Sequence, residues 1–452
     1  MTAPLYIQFG RSAQTRGTVL IVTIWVVLVL AGLALVFARS MRVAAILSAN
    51  HVASLQAECV AEGATQYIMA QLRTNEESTV LETSVPYEAM QVGPGYFWVL
   101  RSNLEDNREL DYGLTDEAGK INLNSASLEM LLKLPGMTAE LAASIIDWRD
   151  EDSELSPGGA ESEYYLLLSE PYDCKNAPLE TIEEILLIKG ASKELLYGED
   201  TNLNGILDEN ENDADASDPP DNRDGRLDSG FYDYVTVYSI EPPAGGSNGN
   251  LINVNDVRSR ELGSVLREVV TDDRYFQIMD NVRAGRPYRN ILDFYFKSGL
   301  TLDEFKQIAD RLTASNGETR VGLVNVNTAS KEVLLCLPGL EESDVDALLS
   351  HRSSAEELES IAWVTEVLDQ EKAVAIGSYI TTRSFQYSAD IVAVAGTGRA
   401  YKRYHVVFDT REDVPQILHW KLLTDLGWPL DREIVTTLRS GRTLATAVSG
   451  MN

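Results

Sequence analysis

Residues 18–38, TVLIVTIWVVLVLAGLALVFA, decide how the chain is read. No charge interrupts the run, which sits directly behind Arg16-Gly17. At about 1.5 Å per residue it crosses a hydrocarbon core of roughly 30 Å as one helix. A cleavable secretory signal has an apolar region of only about 7–15 residues, shorter than this one. Arg39–Leu72 continues without proline, with one late glycine and apolar residues three or four apart. That spacing predicts that the helix carries on past the span. Thr18–Leu72 is therefore expected to form a rod of roughly 80 Å, half in lipid and half out.

The formal charge is −31, and removing residues 1–17 takes away Arg11 and Arg16 but no acid, leaving −33. So acidic a chain is a poor partner for nucleic acid or an anionic surface, and a good one for divalent cations. The three cysteines, Cys59, Cys174 and Cys336, are far apart and lack metal-ligand spacing. Arg11 and Arg16 before the span favour a cytoplasmic amino terminus, a signal that Arg39 and Arg42 blur.

Beyond the rod, RTNEESTV is a polar break, and the short apolar runs Val80–Val85 and Gly95–Arg101 read as the first strands of a small sheet packed on the helix. The texture then becomes helical, and one pattern recurs. KINLNSASLEMLLKLPGM at 120–137 matches LVNVNTASKEVLLCLPGL at 323–340, with INVNDVRSRELGSVL at 252–266 a partial third copy. Each copy is a short strand, Asn-x-Asn and a capped helix, so the middle of the chain is expected to be built of duplicated modules. The asparagines are expected to fix the turn before each helix, with Asn124 or Ser125 capping the first. Phe231–Ile240 reads as a strand, Ser259–Thr313 as helices, and SFQYSADIVAVAG and RAYKRYHVVFDT as antiparallel strands.

The strongest local chemistry is DTNLNGILDENE at 200–211. Counted as an EF-hand loop, Asp200, Asn202 and Asn204 take positions 1, 3 and 5, and Gly205 reverses the chain at 6. Ile206 offers its carbonyl at 7, Asp208 sits at 9 and Glu211 at 12. Six or seven hard oxygens are what Ca²⁺ requires. The competing reading is a solvated acidic loop, since residues 199–228 hold eleven acids and two arginines. No helical pattern follows Glu211, so the loop is expected to be a structural clip. DNRDGRLD offers a degenerate second site from Asn222, Asp224, the Arg226 carbonyl and Asp228. Pro220 stands at its first position, with Asp218 or Asp221 as a substitute ligand. One or two calcium ions are expected.

The LPGM and LPGL turns resemble helix-hairpin-helix motifs, which hold DNA phosphates on backbone N–H groups and occur in membrane-anchored competence DNA receptors. Here Thr138 and Glu341 stand where a second glycine belongs, and Glu342 and Asp344 follow. Carboxylates there repel phosphate, which argues against a nucleic-acid partner. The four histidines, His51, His351, His405 and His419, are scattered, and Asp147 and Asp150 flank Arg149 with no pocket defined. They read as structural groups, so no catalytic residue is named; an uncleaved membrane-bound hydrolase is the weakest alternative.

A short basic leader closed by Gly and followed at once by an apolar helix resembles a type IV prepilin-like signal. That resemblance implies a prepilin peptidase cutting between Gly17 and Thr18 and N-methylation of the new terminus. Val22 stands at the fifth mature position, where most such subunits carry Glu. TDEAGKINLN, IIDWRDED, GGAESEYY, Tyr172 with Lys175-Asn176, and LLIKG together resemble the minor pseudopilin K family of type II secretion.

The family resemblance implies a non-enzymatic, single-pass subunit of the inner membrane with its amino terminus cytoplasmic and its head periplasmic. It implies assembly with pseudopilins I and J as the tip of a filament of the major pseudopilin, where the absence of Glu at Val22 suits a first subunit. The face from Val43 to Leu72 would pack on neighbouring helices. The family is also known to bind calcium. The INVN copy departs from its length.

The expected fold is α+β: a pilin-type helix on a small antiparallel sheet, with a large helical insert of helix-hairpin-helix or SAM-like modules. The expected layout is a leader over 1–17, a transmembrane and spine helix over 18–72, and the first part of the αβ head over 73–113. A first helical module over 114–198, the acidic calcium loop over 199–230, and a strand with the extra module over 231–320 come next. A further module over 321–383, the closing strands over 384–430 and a loose tail over 431–452 complete it.

Overall fold

In the computed structural model, residues 15–74, 87–104, 110–214, 216, 221–242, 251–256, 259–315, 319–354, 358 and 360–444 are described. Most of the leader, the run at 80–85, Asp218, Pro220 and the end of the tail lie outside them.

The first helix, α1, spans Thr15–Thr74 without a break. Its residues from Val19 to Phe37 are exposed throughout, and it is long and apolar enough to cross a membrane. From Ala53 the pattern changes. Ala53, Ala57, Val60, Ala61, Ala64, Ile68 and Leu72 are buried on one face, and the alanines let a sheet approach closely. The seam expected for neighbouring subunits over Val43–Leu72 is corrected accordingly. The face that begins at Ala53 is taken up by the chain's own sheet, and Val43, Ile46, Leu47, Val52 and Leu55 stay exposed.

That sheet contains β1 (Met90–Val92), β2 (Gly95–Arg101), β3 (Asp111–Tyr112), β4 (Thr115–Asp116), β5 (Gln386–Val394), β6 (Tyr401–Asp409) and β7 (Gln416–Leu422). It runs β1-β2-β5-β6-β7, with β3 on β2 and β4 on β5, every pair antiparallel. Phe97, Val99, Ala389, Ile391, Ala393, Val406 and Phe408 face α1 in one core. Everything between β4 and β5 is an insert, spliced into the sheet where β4 and β5 are hydrogen-bonded neighbours.

The insert repeats one device three times. Ile121–Asn122 pairs in parallel with Val235–Thr236, Ile252–Asn253 with Leu312–Thr313, and Val324–Asn325 with Ile380–Thr381. In each copy the first asparagine's Oδ1 accepts from the second's backbone N–H: Asn124 to Asn122 at 2.8 Å, Asn255 to Asn253 at 2.8 Å, Asn327 to Asn325 at 3.0 Å. The second asparagine then ties down a remote segment through its Nδ2. Asn124 donates to the Leu179 carbonyl at 2.9 Å, Asn255 to Tyr288 at 2.9 Å and Asn327 to Leu358 at 2.7 Å. An arginine closes each turn: Arg149 on the carbonyls of Leu123 and Ala126, Arg286 on Val254 and Asp256, Arg352 on Val326 and Ala329.

Helices follow the turns: α2 (Leu128–Leu132) and α3 (Ala139–Arg149), α4 (Arg260–Val269) and α5 (Asp272–Gly285), α6 (Lys331–Cys336) and α7 (Glu342–Ser354). Their caps are Ser127, Ser259 and Ser330, with Oγ on the backbone N–H three residues on at 3.2–3.3 Å. This corrects the assignment of the first cap to Asn124 or Ser125. Asn124 is already committed to Leu179, and a cap must sit directly before the first helical turn.

Two further expectations are corrected. Phe231–Ile240 is not one strand: a single turn of 3₁₀ helix at Tyr232–Tyr234 leads into Val235–Thr236, and Ile240–Glu241 pairs separately with Arg320–Val321. Residues 431–439 are no loose tail, because Asp431 caps a helix α8 (Arg432–Arg439) whose Leu438 is buried with Leu430 and Trp428.

Candidate metal centre

Residues 200–211 close into a loop in which Asp200, Asn204 and Glu211 are buried. Glycine is needed at position 6, where Gly205 has φ +73° and a Cβ would press on Ser102 at 3.0 Å. Asp200 accepts the backbone N–H of Asn204 at 3.1 Å and of Gly205 at 2.9 Å, so the first position organises the fifth and sixth. The Asn204 Oδ1 accepts from Ile206 N at 2.8 Å. Asn202 and Asn204 both donate to Asp208 Oδ2, at 2.6 and 3.0 Å. Glu211 folds back, one oxygen on the Thr201 backbone at 3.0 Å and the other on Asp208 N at 3.0 Å.

The donors expected from the sequence, Asp200, Asn202, Asn204, Ile206, Asp208 and Glu211, thus belong to one compact loop. Burial pushes the Asp200 carboxyl up to about 7, with Asp233 and Glu211 adding negative charge beside it. Burial also raises Glu211. The buried Asn202 Oδ1 has no hydrogen-bond partner among the described residues. Buried carboxylates that resist ionisation and an orphaned amide oxygen are the environment that a hard cation relieves. An oxygen-only donor set suits calcium.

The second acidic stretch is arranged differently. Asn222, Asp224, Arg226 and Asp228 are exposed. Asn222 Oδ1 accepts from Asp224 N at 2.8 Å, Asp224 Oδ1 from Arg226 N at 2.7 Å, and Asp228 Oδ1 from Gly230 N at 3.0 Å. The organising residue here is Glu199, whose oxygens accept from Asn222 N at 2.7 Å and Asp228 N at 3.3 Å. Asp221 accepts from Arg223 N at 2.6 Å and Ala214 N at 3.2 Å. Asp221 is the substitute ligand expected from the sequence, whereas Glu199 is not in the sequence-derived set; its signal is only that it is an acid directly preceding a turn.

The first loop is anchored to the sheet. Arg403 of β6 is fully buried and donates to the carbonyls of Asn202 and Leu203 while clasping Asp390 of β5 at 2.9 and 3.0 Å. The coulombic pull of Asp390 helps hold the Arg403 guanidinium charged against burial. Asn204 also donates to the Pro429 carbonyl at 3.4 Å.

Several of the other groups singled out from the sequence have structural partners. Asp147 accepts from Ser156 N at 3.2 Å. His351 stacks on Trp363 at 5.3 Å, and His405 and His419 lie 6.5 Å apart across β6 and β7, both with pKa lowered by burial. The two Pro-Gly hairpins meet each other, with Lys133 donating to the Leu337 carbonyl at 2.9 Å. Around the second hairpin Lys331 pairs with Glu342 and Asp346, and Lys372 with Asp344. Gly17 and Thr18 lie within α1, and Val22 is exposed on it.

Comparison with known proteins gives two findings. Residues 103–197 match the family model described as type II secretion system (T2SS), protein K. A solved structure, the GspK-GspI-GspJ complex of the type 2 secretion system of enterotoxigenic Escherichia coli, has a chain 13% identical to this one. The alignment covers 84% of this chain and 98% of that one, with a TM-score of 0.40. Comparison with curated proteins gives no match. The matched stretch runs from β3 and β4 through α2 and α3 to Tyr197, short of the acidic loop, and over it the chain is similar to the type II secretion system protein K family.

Proposed function

We propose that this chain is a non-enzymatic minor pseudopilin that caps the periplasmic tip of the type II secretion pseudopilus together with pseudopilins I and J. The observation that carries the reading is the division of α1. Its first half is apolar and exposed on every side, and its second half forms the back of an antiparallel sheet. The first half is a membrane anchor that peptidase cleavage between Gly17 and Thr18 leaves on the mature protein. The exposed Val43, Ile46, Leu47, Val52 and Leu55 supply the surface for neighbouring helices. A large insert on the sheet blocks further stacking above the subunit, and Val22 gives up the carboxylate that would pair with a neighbour's amino terminus.

Calcium belongs to this reading as a structural clip held by Asp200, Asn202, Asn204, the Ile206 carbonyl, Asp208 and Glu211. Bound there, it would neutralise the buried carboxylates and tie the insert to β6 through the Arg403 contacts.

Amino-terminal sequencing of the membrane-extracted protein, with and without the prepilin peptidase, tests the class. A terminus at Thr18 that appears only with the peptidase is expected; a persistent Met1 would sink the proposal. Co-purification with pseudopilins I and J tests the tip role, and recovery of the chain without either would remove it.

A further inference from the structure

We infer a phosphate-binding site between the second and third repeats of the insert, in a cleft lined by Arg289, Arg320 and Arg383. Local structure brings the three together. Arg320 and Glu241 are direct partners across the antiparallel pair Arg320–Val321 and Ile240–Glu241. Arg383 follows the strand Ile380–Thr381, and Thr381 Oγ1 accepts from its backbone N–H at 3.2 Å. Arg289 stands before the helix Ile291–Ser298, which Asn290 caps by accepting from Asp293 N at 2.9 Å. Asn290 also donates to the Val374 carbonyl at 2.9 Å and to Ser378 Oγ at 3.2 Å, which draws the start of that helix against the third repeat.

These arginines have donors to spare. Arg320 and Arg383 both stand in ion-pair contact with the Glu241 carboxylate, the latter at 2.6 Å. The Glu241 side chain is only 6% exposed, yet neither of its oxygens receives a directed hydrogen bond among the described residues. A guanidinium carries five N–H donors. Arg149, Arg286 and Arg352 spend theirs on backbone carbonyls. Arg289 is exposed, and among the described residues its guanidinium has no partner. Three guanidiniums thus stand against two carboxylates, Glu241 and the exposed Asp310, which leaves the cleft positive in a chain of formal charge −31. Burial lowers the Arg320 pKa, and the like charge of Arg383 lowers it further against the pull of Glu241. A second anion would relieve that repulsion.

The donor set selects the ligand. Planar guanidinium forks match phosphate oxygens and stay charged throughout the physiological range. The oxygens of a phosphate can be shared among three arginines, whereas a carboxylate would only repeat what Glu241 already supplies. The hydroxyls of Ser315 and Ser378 line the same cleft. Its volume is about 140 Å³, roughly ten times what one water needs, so a phosphate group fits with water around it. Inorganic phosphate and a phosphomonoester share this chemistry.

The test is calorimetric titration of the full chain with inorganic phosphate, at constant ionic strength and in a detergent without phosphate. Saturable one-to-one binding is expected. Arg289→Gln should weaken it about tenfold, the loss of one charged hydrogen bond, and leave the melting temperature without phosphate unchanged. Glu241→Gln removes the carboxylate that shares Arg320 and Arg383, so it should tighten phosphate binding and enlarge the rise in melting temperature that phosphate causes. A purely structural Glu241 would instead lower stability equally with and without phosphate, and that result would overturn the site. So would the absence of saturable binding, or an unchanged affinity in Arg289→Gln. Glycerol 3-phosphate is the second probe: tighter binding than inorganic phosphate assigns the site to a phosphomonoester, weaker binding to the inorganic ion. Acetate binding as tightly as phosphate would overturn the class of ligand.

Discussion

The guanidinium of Arg403 donates to the backbone carbonyl of Asn202, 201 residues earlier in the chain, and in the same plane grips Asp390 on the adjacent strand. One fully buried cation therefore serves the pilin-type sheet and the acidic loop together. Carbonyls that accept from Arg403 lie between ligand positions of the loop, so sheet geometry and loop geometry are coupled through it.

Replacing Arg403 by Met would leave Asp390 in the interior without its counter-charge. Loss of one partner of a buried pair costs about 3–5 kcal/mol. Chemical denaturation of the full chain is expected to show a loss of that order. Arg403→Lys should recover only part of it, because one ammonium cannot reach Asp390 and two carbonyls in fixed directions. Equal stability of the Met variant and the parent would contradict the coupling.

Calcium binding by the acidic loop should depend steeply on pH. The Asp200 carboxyl ordinarily titrates near 3.8 and in the fold is raised to about 7 by burial and by Asp233 and Glu211. A carboxyl raised by folding binds more protons in the native state between those values. Without calcium, its contribution to stability is therefore fully present below about pH 4 and is lost as pH rises toward 7. Calcium needs the ionised form, so binding should expel close to one proton below pH 7, and apparent affinity should fall roughly tenfold per pH unit there. Calorimetry in buffers of different ionisation enthalpy reads the proton directly. Asp200→Asn should abolish both the proton release and the tight binding.

The alternation of donors with a glycine at the sixth position makes the compact acidic loop legible from sequence, because all its candidate donors are local. Arg403, Ser102 and Pro429 are not legible in the same way. They reach the loop only because the insert leaves the sheet at β4 and returns at β5, and nothing in residues 200–211 encodes that closure. The Asn-x-Asn repeats announced the three modules, yet the paired parallel strands lie up to 114 positions away and have only two residues each. Strands that short carry no periodicity of their own. Helix α8 was missed for a related reason: its burial depends on Leu438 meeting Leu430 and Trp428.

The asparagine device predicts a graded series. Asn124 both donates to the Leu179 carbonyl and accepts the Leu179 N–H at 2.7 Å. Asn124→Ala should cost about 1–3 kcal/mol by leaving both groups unpaired. Asn124→Asp keeps the acceptor but not the donor, so it should fall between Ala and the parent. Thermal melts of the three proteins at neutral pH check the order; an Ala variant as stable as the parent would show that the bridge to Leu179 contributes nothing.

Gly95 offers the most direct test of how α1 is held on the sheet. A Cβ on Gly95 would stand 2.5 Å from the Val394 carbonyl oxygen on β5 and 2.5 Å from Val60 Cγ2 on α1. The Val394 oxygen is backbone at the end of β5, where Val394 pairs with Tyr96 of β2 and Tyr401 of β6, and cannot turn away, so helix and sheet must separate or the pairing must break. Overpacking of this kind costs about 1–3 kcal/mol. Gly95→Ala is therefore expected to lower the melting temperature and to speed proteolysis near Arg73, at the end of the helix that loses its support. Gly93→Ala is the control: it meets nothing within 4 Å and carries only the strain of φ +57°, about 1–2 kcal/mol, without touching α1. Its cleavage near Arg73 should match the parent's. If both variants expose that site equally, the helix is held by something other than the contact at Gly95.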